Sequence, residues 1–184
     1  MSTRMGPTNK LLVDLDGEPM VRQVVKAVVD SHVDLVTVVT GYQADEVTAR
    51  INDLACKIVH NPAYAEGLAS TLRAGLASLP QTVAATVIVL GDMPKVSSQH
   101  INRLVEIYVS ATTTDIVVPT HKGRLGHPVV FARRYFPQLE ALTGDIGGRR
   151  LLRQYRERVC EVPMEDDAVL LDVDRPCELV SLQP

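Results

Sequence analysis

Acidic residues follow two predicted strands at the point where each strand ends. Asp92 lies two residues after the apolar run 86–90, and Asp172 and Asp174 come directly after the run 169–171. In open parallel sheets, ligands bind beyond the carboxyl ends of the strands. If the second strand continues, Asp172 and Asp174 point to the same face, and oxygen ligands from separate strands suit Mg²⁺ that is bound to substrate phosphates. The alternative is structural, with Asp92 capping a turn and the other pair forming an Asx turn.

The amino-terminal stretch combines basic side chains with a glycine. Arg4, Gly6 and Lys10 lie in a polar, loop-like segment. Glycine permits backbone N–H groups to approach an anion closely, and a lysine or arginine beside it would neutralise a triphosphate. The P-loop pattern G-x-x-x-x-G-K-[ST] is absent from the sequence, as is the dinucleotide pattern G-x-G-x-x-G.

A second glycine-rich segment and one histidine are further candidates. Gly144, Asp145, Gly147 and Gly148 precede a helix that begins near Arg149, a pattern typical of an anion-binding nest. His127 stands at the entrance of a predicted strand, and a lone histidine is more often structural than catalytic. The sequence contains no G-x-S-x-G elbow and no H-E-x-x-H motif, which disfavours a hydrolase.

Strands and helices alternate along the chain and must position these residues. Apolar spacing predicts helices from Pro19 and from Ser97 or Ser98, a terminal helix from Pro176, and helices near 44–54, 67–79, 135–142 and 149–155. Apolar, β-branched runs predict strands near 35–40, 56–60, 86–90, 116–118, 129–131, 159–162 and 169–171. This alternation favours one α/β domain over residues 1–184, with a mostly parallel sheet between two layers of helices.

Composition narrows the functional class. The 184 residues carry a formal net charge of −3, which disfavours binding to nucleic acid or to an anionic membrane. Three cysteines without a C-x-x-C pair argue against a disulfide framework or a zinc site. No signal peptide or long apolar run is present, so the expected location is the cytoplasm.

Several short motifs occur in a fixed order from one end of the chain to the other. They are Ser2-Thr3-Arg4-Met5-Gly6 with Lys10, Asn61-Pro62, Ser70-Thr71-Leu72-Arg73-Ala74-Gly75, Gly91-Asp92-Met93-Pro94, Gly126-His127-Pro128, Gly144-Asp145-Ile146-Gly147-Gly148-Arg149 and Asp172-Val173-Asp174. In this order they resemble the motifs of the MobA-like molybdopterin nucleotidyltransferases. The resemblance implies the three-layer, Rossmann-like fold of the nucleotide-diphospho-sugar transferases. The segments that begin at Ser70 and Gly144 look nearer to the cytidylyl branch than to the guanylyl branch.

The resemblance also implies a reaction and a set of roles. Molybdopterin's terminal phosphate would attack the α-phosphorus of CTP (or GTP) and release pyrophosphate, with Mg²⁺ as cofactor. Lys10 and Asp92 would be catalytic. The other implied roles are nucleotide binding for Arg4, Gly6, Lys10, Ser70 and Arg73, pterin binding for His127, Gly144, Asp145, Gly147 and Arg149, and metal binding for Asp92 with Asp174 or Asp172.

The family's first strand and its Leu-Ala-Ala-Gly turn do not precede Ser2. That turn separates CTP users from GTP users, so the base preference is not readable from the sequence. The missing strand would lie in the middle of the sheet, and its loss would leave ladder groups on its neighbours unpaired. We therefore expect an incomplete sequence, and the alternative is a divergent protein that no longer transfers nucleotides.

Two further functions remain open. A member of the same family is described as an NAD(P)H-dependent reductase of a nicotine-derived pigment, for which NAD(P)H or FMN would be the cofactor. A non-catalytic maturation chaperone would instead deliver the molybdenum cofactor to a molybdenum hydroxylase. Because one fold supports many functions, the fold alone does not decide among these alternatives.

Overall fold

The computed structural model describes residues 9–111, 113–144 and 148–173. Its helices are α1 (Met20–Val29), α2 (Ala44–Ala49), α3 (Leu68–Ala77), α4 (Ser98–Ser110), α5 (Phe136–Glu140) and α6 (Arg149–Gln154). Its strands are β1 (Asp14–Leu15), β2 (Glu18–Pro19), β3 (Thr37–Thr40), β4 (Lys57–His60), β5 (Ala85–Ile88), β6 (Ile116–His121), β7 (Arg124–Leu125), β8 (Val129–Ala132) and β9 (Val159–Pro163). Short 3-10 helices cover Lys10–Leu12, Tyr64–Glu66, Arg133–Tyr135, Arg156–Arg158 and Ala168–Leu170.

The central sheet is covered by helices on both faces. On β6, Ile116 and Val118 pack in one cluster with residues of α3, α5 and α6. Val117 points to the opposite face, where it packs with Leu104 of α4. All three β6 side chains are fully buried, and each such burial stabilises the fold by about 1.5–3 kcal/mol. The expected α/β class with three layers is confirmed.

Strand directions in the sheet are more mixed than the sequence predicts. The strand order is β5-β8-β6-β7, with β9 also paired to β6. β8 runs antiparallel to both β5 and β6, whereas β9 runs parallel to β6. The seven residues 122–128 separate β6 from the start of β8, which is too few for a parallel crossover of about a dozen residues. The chain therefore reverses through β7 and returns as an antiparallel strand.

β3 and β4 form a separate two-stranded parallel sheet. Val38 and Ile58 from this pair pack against Val21 of α1 and Val47 of α2. Within the described ranges, β3 pairs with β4 alone and β5 with β8 alone, so each has one edge without a strand partner.

One predicted strand is wrong. Residues 169–171 fall mainly in the 3-10 helix Ala168–Leu170. The carboxylate of Asp166 accepts a hydrogen bond from the backbone N–H of Ala168 at 3.0 Å, and this local bond starts a turn in place of an extended strand. The other predicted strands and helices are confirmed, apart from the terminal helix from Pro176, which lies outside the described residues.

α4 is the longest helix in the described ranges, and its start is fixed by its own first turn. The hydroxyl oxygen of Ser97 accepts from the backbone N–H of His100, and His100 Nδ1 accepts from the backbone N–H of Ser97. This reciprocal capping orients the loop that leads into α4 from β5. Among the residues that the structure describes, no helix has the length and apolarity that crossing a bilayer requires.

Candidate active site at the carboxyl end of the central sheet

Asp92 lies just beyond the carboxyl end of β5 and forms an ion pair with the amino-terminal segment. Its Oδ2 atom is 2.7 Å from Nζ of Lys10. The two side chains are only 22% and 13% exposed, respectively. The structure therefore brings together two predicted catalytic residues that are 82 positions apart in the chain.

The loop that carries Asp92 is anchored on both sides. Met93 and Val96 are buried and pack with Ile101 of α4. The backbone carbonyl of Asp92 accepts a hydrogen bond from the backbone N–H of Val173 at 2.9 Å. Because Asp172 precedes Val173, this bond brings the backbone of a second predicted metal ligand close to that of the first.

One carboxylate oxygen of Asp92 has no hydrogen-bond partner among the described residues. Oδ1 is buried, and no hydrogen bond reaches it from the described residues. A buried carboxylate oxygen is costly unless a cation or a donor satisfies it. The described residues contain no group of three or more His, Cys, Asp or Glu side chains that would hold a metal alone. Mg²⁺ instead commonly takes one or two carboxylates together with substrate phosphates, and Asp92 with Asp172 suits that arrangement.

A cavity of about 310 Å³ opens beside Asp172. Its walls are mostly apolar and include Leu68, Leu72, Ile88, Leu90, Val129 and Phe131. Polar groups are contributed by four residues: Arg124, His127, Arg149 and Asp172. In the antiparallel pairing of β5 with β8, Ile88 lies opposite Val129. The end of β5 and the start of β8 therefore meet at the same edge of the sheet.

His127 is held at this edge by its backbone. Its N–H donates to the carbonyl of Val169 at 2.8 Å, and the N–H of Gly126 donates to the carbonyl of Pro119, also at 2.8 Å. Side-chain Nδ1 of His127 is buried and makes no hydrogen bond with the described residues.

Charges from three sides act on this imidazole. Burial lowers the pKa of His127 below its ordinary value, and the positive charge of Arg149 lowers it further, while Asp92 and Asp172 oppose the shift. His127 is therefore neutral near pH 7. Its imidazole lies close enough to Arg149, Asp92 and Asp172 for their charges to affect its pKa.

Ser70 has a structural position in the loop before α3, and its predicted contact with a nucleotide stays a prediction. Its side chain is buried. The hydroxyl contacts the carbonyls of Ala63 and Gly67 at 2.8 and 2.9 Å and accepts from the amide of Asn61 at 2.9 Å. The hydrogen-bonding capacity of Ser70 is thus used to fix the loop between β4 and α3.

Arg73 also connects two segments of the fold. Its guanidinium donates to the carbonyl of Leu142 at 2.9 Å and forms an ion pair with Glu66 at 3.4 Å. Gly144 lies nearby, since its carbonyl accepts from the N–H of Ala69 at 3.0 Å. In this arrangement Arg73 connects α3 to Leu142, and its predicted contact with a nucleotide stays a prediction.

Of the other predicted site residues, Arg149 lines the cavity at the start of α6. The roles of Arg4, Gly6, Asp145, Gly147 and Asp174 stay predictions, because these residues lie outside the described ranges.

Arg124 and the apolar cavity wall were not predicted from the sequence. Arg124 reaches the cavity because Lys122 and Gly123, both with positive φ, reverse the chain between β6 and β7. Gly123 is a turn signal in the sequence, but it does not indicate which ligand a neighbouring arginine faces.

Comparison with known proteins agrees with this geometry. A family described as "MobA-like NTP transferase domain" matches residues 1–159. The chain is 26% identical over 147 residues to the molybdenum cofactor cytidylyltransferase of Escherichia coli (strain K12), covering 79% of this chain and 72% of that protein. It is 27% identical over 176 residues to the nicotine blue oxidoreductase of Paenarthrobacter nicotinovorans, covering 93% and 86%.

Among solved structures, that of the Mycobacterium tuberculosis H37Rv protein Rv0371C in complex with manganese superimposes with a TM-score of 0.81. The two proteins are 25% identical, and the match covers 97% of this chain and 92% of the other. The Rossmann-like transferase fold expected from the sequence is thereby confirmed.

Proposed function

The chain belongs to the MobA-like NTP transferase family, and we propose that it transfers the cytidylyl group of CTP to molybdopterin. An oxygen of molybdopterin's terminal phosphate forms a bond to the α-phosphorus of CTP. The bond from the α-phosphorus to the bridging oxygen breaks, and pyrophosphate leaves with that electron pair. Similarity to a molybdenum cofactor cytidylyltransferase supports this choice of nucleotide and acceptor, and GTP is the alternative donor.

The Lys10–Asp92 pair with its unsatisfied oxygen is the observation that carries the proposal. Lys10 supplies a positive charge for the phosphates of the nucleotide, at the end of a strand where such ligands bind. Asp92 Oδ1 and the carboxylate of Asp172 are hard oxygen donors of the kind that hold Mg²⁺. A manganese complex of a structurally similar protein supports a divalent ion here. When bound there, Mg²⁺ would neutralise the negative charge that develops on the transferring phosphate.

The protein's part in such a reaction is positioning and electrostatics rather than covalent chemistry. Lys10 neutralises and orients the triphosphate, while Asp92 and Asp172 fix the position of the metal. These side chains lie on a rigid edge, because buried Met93 and Val96 and the hydrogen bond from Val173 hold the Asp92 loop. Loss of one such preorganised contact typically lowers turnover by about 10²–10³-fold.

The cavity beside Asp172 suits the acceptor. Its apolar wall is complementary to the flat face of a fused heterocycle, and Arg124 and Arg149 offer positive charge for the acceptor's phosphate. His127 adds a buried ring nitrogen that makes no hydrogen bond with the described residues and could bind a polar atom of the acceptor. A pterin with one phosphate arm combines all three features.

A pigment reductase is the second candidate, and the apolar character of the same cavity favours it. A planar pigment would pack against Leu72, Ile88 and Phe131 without the polar contacts that a pterin needs. The similarity to nicotine blue oxidoreductase over most of both chains also supports this function.

A thermal-shift panel separates the two functions. CTP, GTP, NADH, NADPH and FMN are each added with and without Mg²⁺, and pyrophosphate release is then measured with molybdopterin. A ligand at about 100 times its Kd stabilises the native state by about 2.7 kcal/mol, which raises the Tm of a protein of this size by roughly 5–10 °C. We expect that shift with CTP and Mg²⁺, whereas a shift with NADH or NADPH alone would favour the reductase.

A further inference from the structure

Lys10 and the catalytic metal compete for the same carboxylate. We propose that Lys10, which pairs with Oδ2 of Asp92 in the nucleotide-free protein, weakens the binding of a free metal ion to Oδ1 of the same carboxylate. The substrate recognised by the site is then the preformed complex of the divalent ion with the triphosphate, and not the free ion followed by the nucleotide. This inference rests on the proposed transferase function and deepens it.

The geometry of the ion pair is the first support. Lys10 Nζ lies 2.7 Å from Asp92 Oδ2, which is a full charge-assisted hydrogen bond. Both side chains are largely shielded from water, so their attraction is screened less than that of a surface pair. A divalent ion that binds the same carboxylate must either push the ammonium away or tolerate a positive charge a few ångström distant.

The number of available ligands is the second support. Among the described side chains, Asp92 and Asp172 are the acidic groups at this edge, and no larger group of metal-binding residues is present. Mg²⁺ demands six oxygen ligands in near-octahedral geometry. From the described residues, a free ion therefore gains at most these two carboxylates while it binds beside the positive charge of Lys10.

A triphosphate provides new partners for both the metal ion and Lys10. Its oxygens complete the coordination of the ion, and they also give the ammonium of Lys10 a new anionic partner. Removal of Lys10 from Asp92 then carries no loss of charge pairing. The nucleotide should consequently raise the affinity for the metal, and the metal should raise the affinity for the nucleotide by the same factor. Lys10 is the residue that produces this coupling.

Binding of Mn²⁺ to the full chain without nucleotide tests the inference. Mn²⁺ is titrated, and the electron paramagnetic resonance signal of the free ion is followed. Lys10→Gln and Lys10→Met are two uncharged replacements of similar length, so the test survives if one of them fails to fold. Lys26→Gln is the matched control, because Lys26 also forms an ion pair with a carboxylate, that of Glu18, but on an exposed helix surface.

We expect both uncharged Lys10 variants to bind free Mn²⁺ about tenfold more tightly than the wild type, as loss of a competing charge at close range implies. Lys10→Arg, which keeps the cation, and Lys26→Gln should match the wild type. Asp92→Asn should lose the binding altogether. Uncharged Lys10 variants that bind no more tightly than the wild type would overturn the inference, as would a gain in Lys10→Arg.

The proposed reaction and the proposed competition between Lys10 and the metal can be tested separately. If the wild type releases no pyrophosphate from CTP and molybdopterin while the uncharged Lys10 variants still gain Mn²⁺ affinity, the reaction is wrong and the competition stands. If pyrophosphate is released normally but Mn²⁺ affinity does not respond to Lys10, the reaction stands and the competition is wrong.

Discussion

Replacing Gly126 by alanine places a methyl group against the backbone that supports the active-site edge. An ideal Cβ at this position lies 2.2 Å from the carbonyl oxygen of Val169 and 2.9 Å from its carbonyl carbon. These distances are far below van der Waals contact, and the neighbouring atoms belong to the backbone, so they cannot rotate away. Gly126 does not have a positive φ, and the effect of the substitution is therefore steric.

The size of the effect follows from the bonds that must move. To accommodate the methyl group, the chain at Val169 shifts by about 1 Å, which weakens two backbone bonds: His127 N–H to Val169 and Gly126 N–H to Pro119. Each contributes about 1 kcal/mol, and overpacking of a tight contact adds about 1–3 kcal/mol. We expect the free energy of unfolding to fall by about 3 kcal/mol, with a Tm lower by roughly 6–12 °C. Turnover falls as well, because Asp172 moves relative to Asp92.

Urea unfolding of the wild type, Gly126→Ala and Gly91→Ala measures this loss. Gly91→Ala is the control, since its Cβ would lie 3.5 Å from the side chain of Leu11, an ordinary contact. Its free energy of unfolding should change by less than about 1 kcal/mol. A Gly126→Ala protein within about 0.5 kcal/mol of the wild type would refute the reasoning. An equal loss in Gly91→Ala would show that the close approach to Val169 is not the cause.

Ser70→Ala should lower the free energy of unfolding by about 1–3 kcal/mol, because the amide of Asn61 loses a buried partner. Ser78→Ala, which removes one hydrogen bond at the end of the same helix, should cost less in urea titrations. An unchanged stability with a tenfold weaker affinity for CTP would instead support the predicted nucleotide role of Ser70. His127 stays neutral in the fold because burial, and then Arg149, lowers its pKa, whereas the unfolded chain takes up that proton below about pH 6.5. The free energy of unfolding should therefore fall as the pH is lowered from 7.5 to 5.5, both in the wild type and in the exposed control His32→Gln. It should fall less in His127→Gln. An equal dependence on pH in all three proteins would contradict this.

The elements of the fold were largely readable because their signals are local. Val21, Val24 and Val25 predicted α1 through their helical spacing, and these residues are buried as expected. The apolar run at β5 likewise predicted that Asp92 would stand at a strand end. The parallel or antiparallel direction of each strand pair was not predicted from such local signals. It depends on whether the short segment between β6 and β8 is long enough to cross the sheet.

Parts of the site depended on contacts that local sequence does not encode. The side chain of Asp166 turns residues 168–170 into a 3-10 helix, although their apolar character resembles that of a strand. Ser70 belongs to a motif typical of nucleotide binding, but its burial and its bond to Asn61 appear only in three dimensions. Arg124 faces the cavity because of a hairpin, and its side chain carries no sequence signal of its own.

Transfer of label from CTP labelled at the α-phosphate to molybdopterin tests the central claim most directly. Asp92→Asn keeps the size of the side chain and removes the charge that pairs with Lys10 and that we propose as a metal ligand. Asp53→Asn is the matched control, because Asp53 pairs with Arg22 on the surface, outside the candidate active site. We expect transfer by the wild type and by Asp53→Asn at similar rates, with a loss of about 10²–10³-fold in a folded Asp92→Asn protein. Transfer by Asp92→Asn at the wild-type rate would contradict the assignment of this edge as the catalytic site.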